Sequence, residues 1–168
     1  MSILAAYVVP HPPLIIPEVG RGEEKKIQLT VSAYERAMKE AAELAPDTVI
    51  IVSPHTVMYA DYFHIAPGEE ASGSFGQFGA PEVAVTAQYD AVLAKEIEME
   101  AAEAGIEAGP VGGRNAALDH AVMIPLYFLH AHTRDFRVVR LGISGLSPLD
   151  HYNFGKCVAR AVETLGRR

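Results

Sequence analysis

The chain has 168 residues, of which 49% are hydrophobic and 21% charged, and this globular composition excludes a disordered or fibrous chain. Asp and Glu outnumber Lys and Arg by 21 to 14, which argues against a protein that binds nucleic acid. The single cysteine, Cys157, excludes an intramolecular disulfide. The sequence has no recognisable signal peptide and no apolar run long enough to cross a membrane, so we expect one cytoplasmic domain.

The first third of the chain predicts a strand, a helix and a second strand. Residues 3–9 form a short apolar run that ends at Pro10, which is typical of a buried strand. Between residues 22 and 44, apolar side chains recur every three or four positions among charged ones, as in an amphipathic helix. Residues 48–53 are a second apolar run. This order favours a parallel sheet with helices on its faces.

The middle of the chain has weaker patterns. Residues 62–66 and 83–87 are predicted strands, and residues 90–104 are a predicted helix that ends at Gly105. The segments 68–81 and 109–115 are rich in turn-forming residues, and we expect both to be loops.

The last third predicts two helices around one strand. A helix over residues 119–129 contains Pro125, which must begin, kink or end it. Residues 136–143 are a predicted strand, and Ser147 followed by Pro148 opens the final helix. The predicted fold is therefore a three-layer α/β domain with a mostly parallel central sheet flanked by helices.

Two histidines directly follow predicted strands. His11 follows the strand over residues 3–9 and His55 follows the strand over residues 48–53, each beside a proline that stiffens the backbone. Ligands of open α/β sheets bind outside the carboxyl ends of the strands, and neutral imidazole is a ligand for zinc and iron. The pattern predicts half of a metal site. The alternative is that each is an ordinary polar residue at a strand end.

His120 is the third candidate. Asp119 precedes it as a plausible N-cap, and a helix amino end keeps an imidazole neutral near pH 7. A neutral imidazole suits hydrogen bonding or proton transfer to a substrate oxygen. The alternative is that this histidine only caps its own helix. The remaining histidines and the cysteine have weaker claims and are expected on a sheet face, at helix ends or in the core: His64, His130, His132, His151 and Cys157.

Five stretches of the sequence occur together in one family, in this order: VVPHPPLIIPEVG, VIIVSPHTVMYADYFHI, GSFGQFGAPEV, LDHAVMIPLYFL and LGISGLSPLDHYNFGKCVARAV. The chain resembles the class III extradiol ring-cleavage dioxygenases of the LigB type, and more closely the branch related to the Memo proteins. The resemblance extends over essentially the whole chain.

The resemblance implies a non-haem Fe(II) enzyme that uses O₂ to open a small aromatic diol beside its paired hydroxyls. By the match of motifs, His11 and His55 become metal ligands. His120 becomes the catalytic histidine that hydrogen-bonds the substrate or oxygen and helps to move protons. In such families two histidines and a carboxylate form a facial triad.

The chain departs from the family pattern in two places. Ala121 stands where the family has glycine after the histidine of the Asp-His-Gly run. The family also continues, after its last helix, into a further strand and supplies its third metal ligand later. We therefore expect a domain that is incomplete at its carboxyl end. The third ligand is unassigned, and the carboxylates that could replace it are Glu18, Asp61, Asp119 and Asp150.

Two other functions stay open on the sequence alone. One is a Memo-like protein that binds a metal or a protein partner without catalysis, and the other is a zinc-dependent hydrolase on the same pocket. We also expect a homo-oligomer, because absent sheet strands would leave an apolar edge exposed.

Overall fold

A computed structural model describes residues 3–112 and 117–168, and its fold is mixed α/β. The helices are α1 (Pro17–Gly20), α2 (Gln28–Glu43), α3 (Ala91–Glu103), α4 (His120–His130) and α5 (Pro148–Thr164). Short 3₁₀ helices occur at Pro13–Ile15, Glu23–Ile27 and Gly76–Phe78. The strands are β1 (Thr48–Ser53), β2 (Phe63–His64), β3 (Glu70–Phe75), β4 (Ala80–Gln88), β5 (Ala108–Gly109) and β6 (Arg137–Gly142).

The parallel pair β1–β6 is the centre of the fold. Its register runs from Thr48 opposite Arg137 to Ser53 opposite Gly142. Strands β2 and β5 are also parallel, whereas β3 and β4 form an antiparallel hairpin. Isolated bridges join residues beside β2 and β4 to β6, so both of the other pairs adjoin it. The prediction of a mostly parallel α/β fold is confirmed.

Helices cover both faces of the central pair. Helices α2 and α4 and the hairpin pack in one apolar cluster, and helices α3 and α5 pack in a second. Neighbouring residues of β6 divide between the clusters, since Val138 lies in the first and Val139 in the second. This division follows from the alternation of side chains along a strand buried on both faces. It produces the three layers predicted from the sequence.

The segment over residues 68–81 is not a loop, and that prediction was wrong. Most of it forms β3, the 3₁₀ helix Gly76–Phe78 and the start of β4. Its small residues have a packing cause: a Cβ atom on Gly73 would lie 2.5 Å from the Leu118 carbonyl oxygen. Gly79 has φ +82°, which glycine adopts without strain. Close packing therefore produced a composition that resembles a loop.

The predicted strand over residues 3–9 is also absent. The segment belongs to no ladder in the described structure and faces β1 across an apolar slot of about 640 Å³. Val8 is fully exposed, and Val52 on the facing side is 56% exposed. A strand needs a neighbour about 4.8 Å away to bond its backbone groups. The apolar run alone therefore did not produce a strand.

The remaining predicted elements are present with small shifts. Helix α3 begins after Asp90, whose side chain accepts a hydrogen bond from the Leu93 amide, and α5 begins with a capping box between Ser147 and Asp150. Pro125 lies inside α4. Of the loop predicted over residues 109–115, the first belongs to β5 and residues 113–115 lie outside the described residues. Among described residues, no helix is long and apolar enough to cross a bilayer.

His64 predicts how stability depends on pH. Its side chain is 1% exposed, and burial, followed by the positive charge of Arg140, holds its pKa below the ordinary 6.5. The unfolded chain therefore binds the proton more readily, and stability is lost as the pH falls below about 6.5. Replacing this histidine by asparagine, His64→Asn, should remove up to about 1.4 kcal/mol per pH unit of that slope in urea unfolding between pH 7.5 and 5. Parallel pH profiles for the two proteins would contradict the prediction.

Candidate metal centre

Three histidines from distant parts of the chain converge at one end of the β1–β6 pair. His11 lies just before the first 3₁₀ helix, His55 follows β1 and His120 is the first residue of α4. One nitrogen from each imidazole can be chosen so that all three lie within 4.8 Å of one another. Within the described residues this is the group of side chains arranged to hold a metal ion.

The distance between His11 and His55 suits a shared metal ion. Their Nε2 atoms are 3.1 Å apart. Two nitrogens that each lie about 2.1 Å from one ion, at an angle of about 90–110°, are about 3.0–3.4 Å apart. Without an ion, one ring donates an N–H to the other. The same geometry therefore allows a hydrogen bond or a pair of ligands.

His120 lies beside this pair. Its ring centroid is 4.4 Å from that of His55 and 5.5 Å from that of His11. Burial lowers the pKa of His120, and the nearby His55 and His11 lower it further, against the opposing effect of Asp119. The imidazole is therefore neutral near pH 7, with one nitrogen free to accept a proton. This agrees with the expectation drawn from its place at a helix amino end.

Two further residues, which the sequence analysis did not single out, adjoin the site. Phe78, on the 3₁₀ helix between β3 and β4, places its ring 5.3 Å from the ring of His120 at an interplanar angle of 75°. Ser53, the last residue of β1, is fully buried behind His55. Phe78 was hidden in the segment mistaken for a loop. Ser53 had no signal beyond its position two residues before His55.

The four carboxylates weighed as a third ligand do not belong to the converging group. Asp61 and Glu18 are exposed. Asp119 accepts hydrogen bonds from amides in the first turn of α4, and Asp150 is engaged with Ser147 in the capping box of α5. The described residues therefore offer imidazole nitrogens at this centre and no carboxylate.

The other histidines lie outside the centre. His64 is buried in β2. The Nδ1 of His151 lies 2.9 Å from the Ser147 carbonyl oxygen, and its ring packs against Phe63. His130 and His132 lie at the end of α4, where His132 is exposed. Cys157 is buried in the core, as predicted.

The protein is thus an α/β protein with a histidine centre at the carboxyl end of its parallel strands. The family described as the catalytic LigB subunit of aromatic ring-opening dioxygenase matches residues 5–168, so the chain belongs to this family. The resemblance found in the sequence is confirmed.

A protein of Clostridium acetobutylicum, Protein CA_C1420, is 38% identical over 172 residues. The match covers 98% of this chain and 37% of the relative. The chain therefore spans little more than a third of the length of this curated relative, whose printed name states no activity.

We propose, from the match of motifs that makes His11 and His55 the ligands, that the three histidines contribute unequally to metal binding. Replacing His11 or His55 by alanine should weaken Co(II) binding by more than the about 10–100-fold typical of losing a second-shell partner, because a ligand itself is lost. His120→Asn should leave the affinity nearly unchanged. Visible-absorption titration under anaerobic conditions measures these affinities.

The exposed His132 supplies the control, since His132→Ala removes an imidazole outside the centre. Equal losses in the His11, His55 and His120 variants would contradict the assignment and make His120 a ligand.

Proposed function

We propose that this protein is a non-haem Fe(II)-dependent extradiol dioxygenase that opens a catechol-type ring with O₂. The observation that supports the proposal is the convergence of three histidine nitrogens, within 4.8 Å of one another, in a chain of the ring-opening dioxygenase family. The donor set suits iron, because imidazole is a common ligand of non-haem Fe(II). We assign His11 and His55 as the residues that hold the metal.

Iron, when bound, supplies the redox chemistry that joins O₂ to the aromatic diol. The protein's own contribution begins with His120. A hydroxyl group of the diol must lose a proton to bind as an anion, and a neutral imidazole beside the two ligands can accept that proton. The lowered pKa of His120 keeps it in the required neutral form at pH 7.

Phe78 supplies an apolar wall beside the catalytic histidine. Its half-buried ring stands edge to face against His120, which restricts the movement of the imidazole. The 3₁₀ helix that bears Phe78 is held at its end by a hydrogen bond, 2.8 Å long, from the Arg21 guanidinium to the Gly79 carbonyl oxygen. A flat aromatic substrate fits such a surface better than a charged or branched one does.

The test is ring cleavage by protein loaded with Fe(II) under anaerobic conditions and then exposed to air with a panel of catechols. We expect O₂ consumption together with the absorbance of a ring-opened product. His120→Asn should keep its iron and lose about 10²–10⁴-fold in turnover, the usual contribution of general acid–base catalysis. His132→Ala should keep full activity, as the matched control.

Iron-loaded protein that consumes no O₂ with any diol would contradict the enzyme and favour the Memo-like protein that binds without catalysis. Zinc retained after purification without added metal, with no oxygen chemistry on iron, would favour the hydrolase. The absence of a carboxylate from the converging histidine group is the observation that keeps the non-catalytic function as the second candidate.

We also propose that the protein self-associates through the open side of β1. The slot between β1 and residues 3–9 is lined mainly by apolar side chains, and backbone groups on an open strand edge bond readily to another chain. Light scattering should find a dimer or larger species that Val52→Lys dissociates. Val92→Lys, at a similarly exposed valine on α3, should leave it intact. A monodisperse monomer at all concentrations would overturn this proposal.

A further inference from the structure

A partly buried hydrogen bond connects the two segments that bear His55 and His120. The Ser53 hydroxyl donates to Asp119 Oδ1 over 2.7 Å, although the two residues are 66 positions apart. Ser53 is fully buried at the end of β1, and Asp119 is the N-cap of α4. The bond therefore joins a strand end to a helix start directly behind the histidine centre.

Each partner of this bond also orients the histidine next to it. The Ser53 oxygen accepts a hydrogen bond from the backbone N–H of His55, 3.1 Å long. Asp119 Oδ1 accepts the amides of Ala121 and Val122 at 2.9 and 3.2 Å, which fixes the first turn of α4 and with it His120. One hydroxyl and one carboxylate oxygen thus hold both backbones in place.

The helix start is held from the other side as well. The Leu118 amide donates to the Ser72 carbonyl oxygen of β3 over 3.0 Å, and the close approach of Gly73 leaves no room for the backbone to move toward the hairpin. Contacts with β3 therefore fix the position of Asp119. The hydrogen bond from Ser53 then fixes the segment after β1 relative to Asp119. The second oxygen, Asp119 Oδ2, is buried and has no hydrogen-bond partner among the described atoms.

We propose that Ser53 and Asp119 are positioning residues that set the separation of His55 from His120 and thereby the geometry of the metal centre. The inference rests on the proposed function for the identity of the metal, and on the observed hydrogen bonds for the rest. Neither residue is placed among the ligands. Partners behind metal ligands typically affect metal affinity by about 10–100-fold, because they fix the orientation of the ligating ring.

The decisive comparison uses two hydroxyl groups of the same strand. Thr48, at the opposite end of β1, donates a hydrogen bond of the same length, 2.7 Å, to the Asp90 carboxylate. Ser53→Ala and Thr48→Val therefore each remove one hydroxyl–carboxylate bond from β1, but only the first lies at the histidine centre. Thermal unfolding should report a loss of stability in both variants.

The affinity for Co(II) should differ between the Ser53→Ala and Thr48→Val variants. Ser53→Ala should weaken the Co(II) affinity by about 10–100-fold and change the visible ligand-field spectrum. Thr48→Val should leave affinity and spectrum unchanged. Asp119→Asn keeps an oxygen that can accept the same hydrogen bonds and should restore most of the affinity lost in Asp119→Ala. Equal affinities in Ser53→Ala and the unaltered protein, or equal losses in both hydroxyl variants, would overturn the proposal.

A measurement without metal keeps this test separate from that of the proposed function. The rings of His55 and His120 lie 4.4 Å apart, close enough for a nuclear Overhauser effect between them. That effect should weaken in Ser53→Ala and persist in Thr48→Val. If the unaltered protein binds no metal, the proposed function fails while this comparison still decides the positioning role: an unchanged effect in Ser53→Ala would refute it.

Discussion

The parallel pairing of β1 with β6 is the constraint on which the rest of the structure depends. Strand β6 is buried between the two helical layers and β1 pairs along one of its edges, so the backbone of both strands continues into loops at the same end of the pair. His55, just after the carboxyl end of β1, therefore lies at the same edge of the sheet at which α4 begins. The site therefore lies where β1 ends and α4 begins.

The electrostatics of the centre differ from those of the whole chain. The protein has a net charge of −7, yet three imidazoles converge without a carboxylate among them. Burial, followed by the nearby His55 and His11, lowers the pKa of His120 below its ordinary value. The carboxylate next to His120 in the chain, Asp119, accepts hydrogen bonds from the helix amides and from Ser53.

The elements predicted correctly from the sequence are those that form because of their own local residue pattern. Strand β1, helix α3 and helix α5 with Ser147 as its N-cap were predicted because periodicity and helix-start residues are local signals. Strand β3 was missed because its glycine, Gly73, is required by packing against Leu118, which is 45 positions away in the sequence. The strand over residues 3–9 was overpredicted, since apolar composition cannot provide a ladder partner. His11 and His55 were found because they follow predicted strands, and His120 because it begins a predicted helix. The roles of Ser53 and Phe78 depend on contacts with residues distant in the sequence, which no local pattern reveals.

We propose that His11 and His55 bind one metal ion and that His120 lies beside the ion without binding it. X-ray absorption fine structure of the anaerobic Fe(II)-loaded protein measures this directly, because imidazole rings give a recognisable outer-shell scattering pattern. We expect two imidazole ligands at about 2.1 Å, and the same two in the His120→Asn variant. Loss of an imidazole from that variant's spectrum, or a spectrum with no imidazole at all, would contradict it.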